Sequence, residues 1–145
     1  MYRQEETLVN DFISNLPKSS FFKTGKVRIA REFDYNRGRV DIVLLTENKE
    51  IIAFEAKLER WREALHQAYR NTCFAHYSYI ILPEDVANRA IQYEMEFSNR
   101  SVGICYLSNS QIVIAQMANR ADPFQAWLTY KARAFFEEGE NGSIN

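Results

Sequence analysis

No stretch of this chain approaches the ~20 consecutive apolar residues that a membrane-spanning helix needs. The N-terminal segment MYRQEETLVNDF is acidic and lacks an apolar core run, which argues against a secretory leader. A soluble, cytoplasmic protein is the expectation. Bulk positive charge is missing as well: 18 Lys and Arg stand against 19 Asp and Glu, for a net charge of −1. Binding a polyanion would therefore depend on a local patch. Cysteine is scarce. Cys73 and Cys105 lie far apart in apolar stretches without metal-ligand spacing, and read as buried thiols rather than a disulfide. His66 and His76 have no spaced partners, so neither reads as a metal ligand. There is no nucleophile elbow, no phosphate-cradling glycine loop and no zinc spacing, which leaves little support for a hydrolase of those kinds.

The chain has 145 residues, 46% of them apolar and 14% aromatic, enough for one domain with a substantial core. Leu8, Val9, Phe12, Ile13 and Leu16 recur on one helical face from Glu5 to Leu16, and Pro17 ends that helix. Residues 26–33 alternate as a half-exposed strand, and Asn36, Arg37 and Gly38 turn the chain. RVDIVLL (39–45) and IIAFEAKL (51–58) are the most apolar strands, and the short polar segment between them predicts an antiparallel hairpin covered on both faces. Trp61 to Thr72 has helical spacing, with Tyr69 expected in the core along with Trp61, Tyr77 and Tyr79. A strand follows over 76–82, then a helix over 84–97 and strands over 102–107 and 111–117. The last helix is expected to open at Pro123 and run to Phe136. Residues 1–138 thus read as a single α/β domain, a mixed central sheet flanked by helices, with 139–145 as a disordered tail.

Charges interrupt the two most apolar strands. Side chains alternate between strand faces, so Glu55 and Lys57 share a face, and Asp41 shares one with Val43 and Leu45. Pairing Thr46 with Glu50 around a three-residue turn puts Asp41 opposite Glu55. Sliding by one pair puts it opposite Lys57. Both registers gather all three charges on one face. Facing carboxylates repel, and a buried charge without a partner costs roughly 3–5 kcal/mol. A divalent cation would remove the repulsion, since magnesium takes one or two carboxylates and keeps its other positions for water and phosphate. Neutralisation by Lys57 alone, as a salt-bridge cluster, explains the same spacing.

Asp41 on one strand and Glu55-Ala56-Lys57 on the next resemble the signature of the PD-(D/E)-x-K, or restriction-endonuclease-like, superfamily. The order helix, three strands, helix, strand is also similar, as is the segment 57–83, and the resemblance covers residues 3–107. Val40 stands where the motif name has proline. The resemblance implies a restriction-endonuclease-like fold and a metal-dependent endonuclease acting on nucleic acid, with DNA as the expected substrate. It further implies Mg2+ on Asp41 and Glu55, with Mn2+ able to substitute, and Lys57 acting on water and phosphate. Many relatives pair to cut two strands, so a homodimer is a further implication.

Other residues carry two readings each. Glu5 sits on the apolar side of the first helix with Glu6 at its edge. The resemblance places Glu5 first, and Glu6 second, near the metal, whereas acids in a first helical turn also favour the helix dipole. Gln67 would position water or phosphate by resemblance, or else be a solvated surface residue. Lys26, Arg28, Arg37 and Arg39, in a basic segment leading into Asp41, could grip phosphates or line a solvated strand face. A catalytically inactive nucleic-acid-binding or assembly module with the same fold is the alternative function.

Overall fold

A computed structural model of the chain describes residues 2–23, 25–35 and 38–137. Arg37 and the expected tail over 139–145 lie outside the described residues. Six strands form one sheet in sequential order: β1 (Arg28–Asp34), β2 (Arg39–Leu45), β3 (Ile51–Ala56), β4 (Tyr77–Ile81), β5 (Val102–Ser108) and β6 (Gln111–Gln116). The β3–β4 and β4–β5 pairs are parallel and the other three antiparallel, so the sheet is mixed. Around it lie the helices α1 (Glu5–Asn15), α2 (Trp61–Asn71), α3 (Glu84–Ala90), α4 (Glu94–Ser98) and α5 (Ala126–Glu137). None of the described helices is long and apolar enough to cross a membrane.

The period of two along each strand decides which helix each residue meets. Ile42, Leu44, Phe54, Ile81 and Cys105 project to one face, where Leu8, Val9 and Phe12 of α1 cover them. Val43, Ile51 and Ala53 project to the other, against Leu128, Ala132 and Phe136 of α5. Farther along that second face, Ile80 and Ile104 meet Ala64, Leu65 and Ala68 of α2 and Val86 of α3. All six residues of β3 are buried, as a near-continuous apolar run requires of a central strand. Cys73 and Cys105 are both buried and form no disulfide.

The hairpin adopts the first of the two registers open to it. Thr46 N–H donates to the Glu50 carbonyl at 3.0 Å, and Lys49 N–H donates to the Thr46 carbonyl at 2.9 Å. Lys49 takes the left-handed conformation (φ 67°) that closes a three-residue β-hairpin loop. The ladder then runs Leu45↔Ile51 through Ile42↔Phe54.

Three expectations need correction. The helix expected over 84–97 is broken by a 3-10 turn at Ile91–Tyr93. Tyr93 leaves helical geometry as its ring comes within 5.2 Å of the Trp61 ring. The last helix begins at Ala126 rather than Pro123. Ala121 N–H donates to the His76 carbonyl (2.8 Å) and Gln125 N–H to the Cys73 carbonyl (3.1 Å), which ties that segment to the chain between α2 and β4 before the helix starts. Tyr69 is half exposed rather than in the core, because it lies on the outer side of α2.

Candidate active site

At one end of the sheet the β2–β3 ladder, continued by one step past Ile42↔Phe54, sets Asp41 across from Glu55. Both side chains emerge on the face covered by α2. Asp41 Oδ2 accepts a hydrogen bond from the backbone N–H of Ala56 at 2.8 Å, which fixes the carboxylate against the end of β3. Glu55 is 5% exposed. Its Oε2 accepts from Asn71 Nδ2 at 2.8 Å, and Asn71 Oδ1 in turn accepts from the Tyr35 hydroxyl at 3.0 Å. Among the described residues no donor reaches the second oxygen of either acid, and neither oxygen is a sealed orphan.

Burial dominates the electrostatics. It pushes the Glu55 carboxyl up to about 8, against the opposing pull of the Asn71 hydrogen bond and with help from the Asp41 charge. Burial also raises Asp41, partly offset by the Ala56 N–H, while Glu5 and Glu32 add repulsion and Lys57 relief. A charge on Asp41 makes Glu55 more reluctant to ionise. Lys57 follows the end of β3. Its ammonium pairs with Glu63 at 2.7 Å and lies 3.9 Å from Glu5. The Glu63 hydrogen bond, more than any other influence, raises the Lys57 pKa. Glu5, Lys57, Glu59, Arg60 and Glu63 line a cavity of about 290 Å³ beside this ion pair.

The structure therefore brings together Asp41, Glu55, Lys57 and Glu5. Glu5 reaches the group from the exposed first turn of α1, not from its core-facing side as the spacing suggested. Glu6 is exposed in the same turn and makes no hydrogen bond or ion pair through its side chain with a described residue. Gln67 lies on α2 one turn from Glu63 and one turn from Asn71, on the stripe that faces the acids. Among the described residues, the basic set Lys26, Arg28 and Arg39 is not gathered into one patch. Arg28 pairs with Leu45 at the far end of the hairpin from Arg39, about 20 Å away along the strand. Its guanidinium donates to the Phe136 carbonyl at 2.6 Å, capping α5. Lys26 is exposed beyond that same far end. Arg39 stands near Asp41 and pairs with Glu32 at 3.5 Å across exposed surface. Of the histidines, His66 is exposed and His76 is buried, its Nδ1 accepting from Ile51 N–H at 3.0 Å.

Sequence reasoning missed Asn71, Tyr35 and Glu63. A signal existed for two of them. Glu63, Gln67 and Asn71 recur every four residues directly after the motif, and Asn71 falls on the apolar side shared with Ala64 and Ala68. Tyr35 gave none, since it reaches Asn71 from a distant turn.

A hard divalent cation suits this donor set. Two carboxylates face each other, each with one oxygen uncommitted, and the burial that makes their charges costly is what a dication offsets. Among the described residues no group of three or more His, Cys, Asp or Glu forms a metal cage, so the pair would leave most of an ion's coordination to water or substrate.

No family model and no curated protein matches the chain. Among solved structures, a protein of unknown function from Silicibacter pomeroyi is similar, at 17% identity over 93% of this chain and 91% of that one, with a TM-score of 0.56. The likeness is one of fold. A repair endonuclease from Pyrococcus abyssi is 18% identical over 74% of this chain and 49% of its own, with a TM-score of 0.47. SfsA from Pyrococcus furiosus, in complex with Ca2+, is 12% identical over 79% and 61%, with a TM-score of 0.39. Neither of the last two is close enough to bear on function.

Proposed function

We propose that the protein is a metal-dependent nuclease that hydrolyses phosphodiester bonds, with DNA as its substrate. The observation that carries this reading is the pair of facing carboxylates, Asp41 and Glu55, set into otherwise apolar strands beside a lysine. Their carboxylates would hold magnesium, or manganese in its place. The ion would supply Lewis-acid polarisation of the scissile phosphate and acidify the attacking water.

The chain's own groups do the rest. Asn71 and Ala56 N–H each hold one oxygen of an acid and leave the other turned outward. Lys57 presents a compact point charge with three donors, suited to a phosphate oxygen or to orienting water as negative charge builds up. Glu63 and Glu5 keep that ammonium charged and in place. Gln67 offers an amide from the same side of α2. In a cleavage assay with plasmid, duplex and single-stranded DNA, the wild type should cut only with magnesium or manganese. Asp41→Ala and Lys57→Ala should each lose at least a hundredfold in rate. Undiminished cutting by either variant would count against the mechanism.

A second reading draws on the Lys57–Glu63 contact at 2.7 Å. With its ammonium already engaged and Glu55 protonated, the cluster is electrically satisfied without an ion. A nucleic-acid-binding module of this fold would bind without metal and never cut.

A further inference from the structure

Large aromatic side chains are usually hidden, because each carries a large apolar area. Four stand in solvent on α2 and around the start of α5: Tyr69 is 51% exposed, Phe124 77%, Trp127 62% and Tyr130 73%. Tyr69 and Phe124, with Arg70, Thr72 and Cys73, line a cavity of about 200 Å³. That is below the roughly 300–1,000 Å³ of a drug-sized ligand pocket, and suits one flat ring system. The Thr72 hydroxyl is turned away onto the Tyr69 carbonyl at 2.7 Å, so aromatic faces and a guanidinium dominate the lining.

Arg70 joins this cavity to the acid pair. The next residue on α2 is Asn71, which holds Glu55. The Arg70 charge acts on Glu55, and its Nη2 comes within 3.4 Å of where a Cβ on Gly38 would stand, beside the β1–β2 turn. Among the described residues Arg70 makes no ion pair. Exposed rings that offer stacking, next to a cation that no ion pair among the described residues engages, are the two components of single-strand recognition.

We propose that the cavity between Tyr69 and Phe124 seats an unpaired nucleobase, with Arg70 holding the phosphate that leads from that base toward Asp41 and Glu55. The inference rests on the nuclease reading and sharpens it: the substrate is single-stranded, or unpaired next to the cut. A protein partner could cover the same rings, but it would give no reason for a cation between the rings and the acids.

The test is fluorescence anisotropy in EDTA, which prevents cutting, using a labelled single-stranded oligonucleotide of mixed sequence and the same strand in a duplex. The single strand should bind more tightly. Phe124→Ala and Tyr69→Ala should each weaken it roughly 5- to 100-fold with little effect on the duplex, and Phe124→Trp should retain binding. Both rings are exposed, so thermal melting should be unchanged, and this is checked in parallel. Unchanged single-strand affinity in both alanine variants overturns the proposal. So does a Phe124→Ala protein that merely dissociates a dimer while binding the strand as before. A wild type that cuts with metal while the variants keep full strand affinity sinks the base seat alone. A wild type that binds neither oligonucleotide in EDTA also overturns the base seat, while failure to cut with magnesium or manganese sinks the nuclease reading.

Discussion

Glu55 keeps its proton well into the range where an exposed glutamate has lost it, and this ties stability to pH. Its ordinary value is 4.5 and its folded value about 8. Between those limits the folded chain retains a proton that the unfolded chain releases, so stability is greatest below about pH 4.5 on this account and falls as pH rises toward 8. Each tenfold in proton affinity is worth about 1.4 kcal/mol, which makes the loss a few kcal/mol. Urea melts in EDTA should show this decline in the wild type and its absence in Glu55→Gln, which becomes the more stable protein above pH 8. Parallel pH profiles for the two would contradict it. Asn71 supports Glu55 from behind, and Asn71→Leu would remove its hydrogen bonds with the Tyr35 hydroxyl and with Glu55 Oε2. The expected cost is about 1–3 kcal/mol, together with weaker manganese binding. If manganese affinity stays at the wild-type value while stability drops, Asn71 serves the core alone.

Among the elements, those written in local pattern were the legible ones. The β2–β3 hairpin follows from two apolar runs around Thr46–Glu50, and α1 and α2 from their apolar stripes. What chose the hairpin register was the Thr46–Glu50 hydrogen bond, where strand pattern alone allowed two answers. The break after α3 was not legible, because Tyr93 leaves the helix to meet Trp61, thirty-two residues earlier. The start of α5 was not legible either, since the chain before it is tied to Cys73 and His76. Gly103 is a third long-range case. A Cβ there would meet the Tyr79 ring, and would lie 2.6 Å from both Ala118 N and the Gln116 carbonyl. Two of those contacts are backbone and cannot swing aside. Gly103→Ala should therefore cost about 1–3 kcal/mol and lower the melting temperature by roughly 3–10 °C. An unchanged melting temperature would mean that β5 and the strand end beside it have room to spare.

For the whole molecule, the sheet's strand order places the motif where two antiparallel strands meet the parallel ones, with α2 returning across the face from which both acids project. The acid pair and the lysine were readable because a strand's period of two converts spacing into a face. Of their supports, Asn71 left a trace in the spacing of α2 but Tyr35 did not, because it meets Asn71 only when the residues after β1 and the end of α2 come together in the fold. The basic segment misled in the opposite sense: of its described residues, Lys26 and Arg28 lie at the far end of the hairpin from Arg39, and Arg28 caps α5. With a net charge of −1, any grip on nucleic acid must be local and aimed at the acids. The central claim is that Asp41 and Glu55 together hold a divalent ion. Calorimetric titration of the metal-free protein with manganese at pH 8 tests it most directly. The account predicts one saturable site in the wild type, lost in both Asp41→Asn and Glu55→Gln while each variant stays folded. A wild type that takes up no manganese, or variants that bind it as the wild type does, would contradict it.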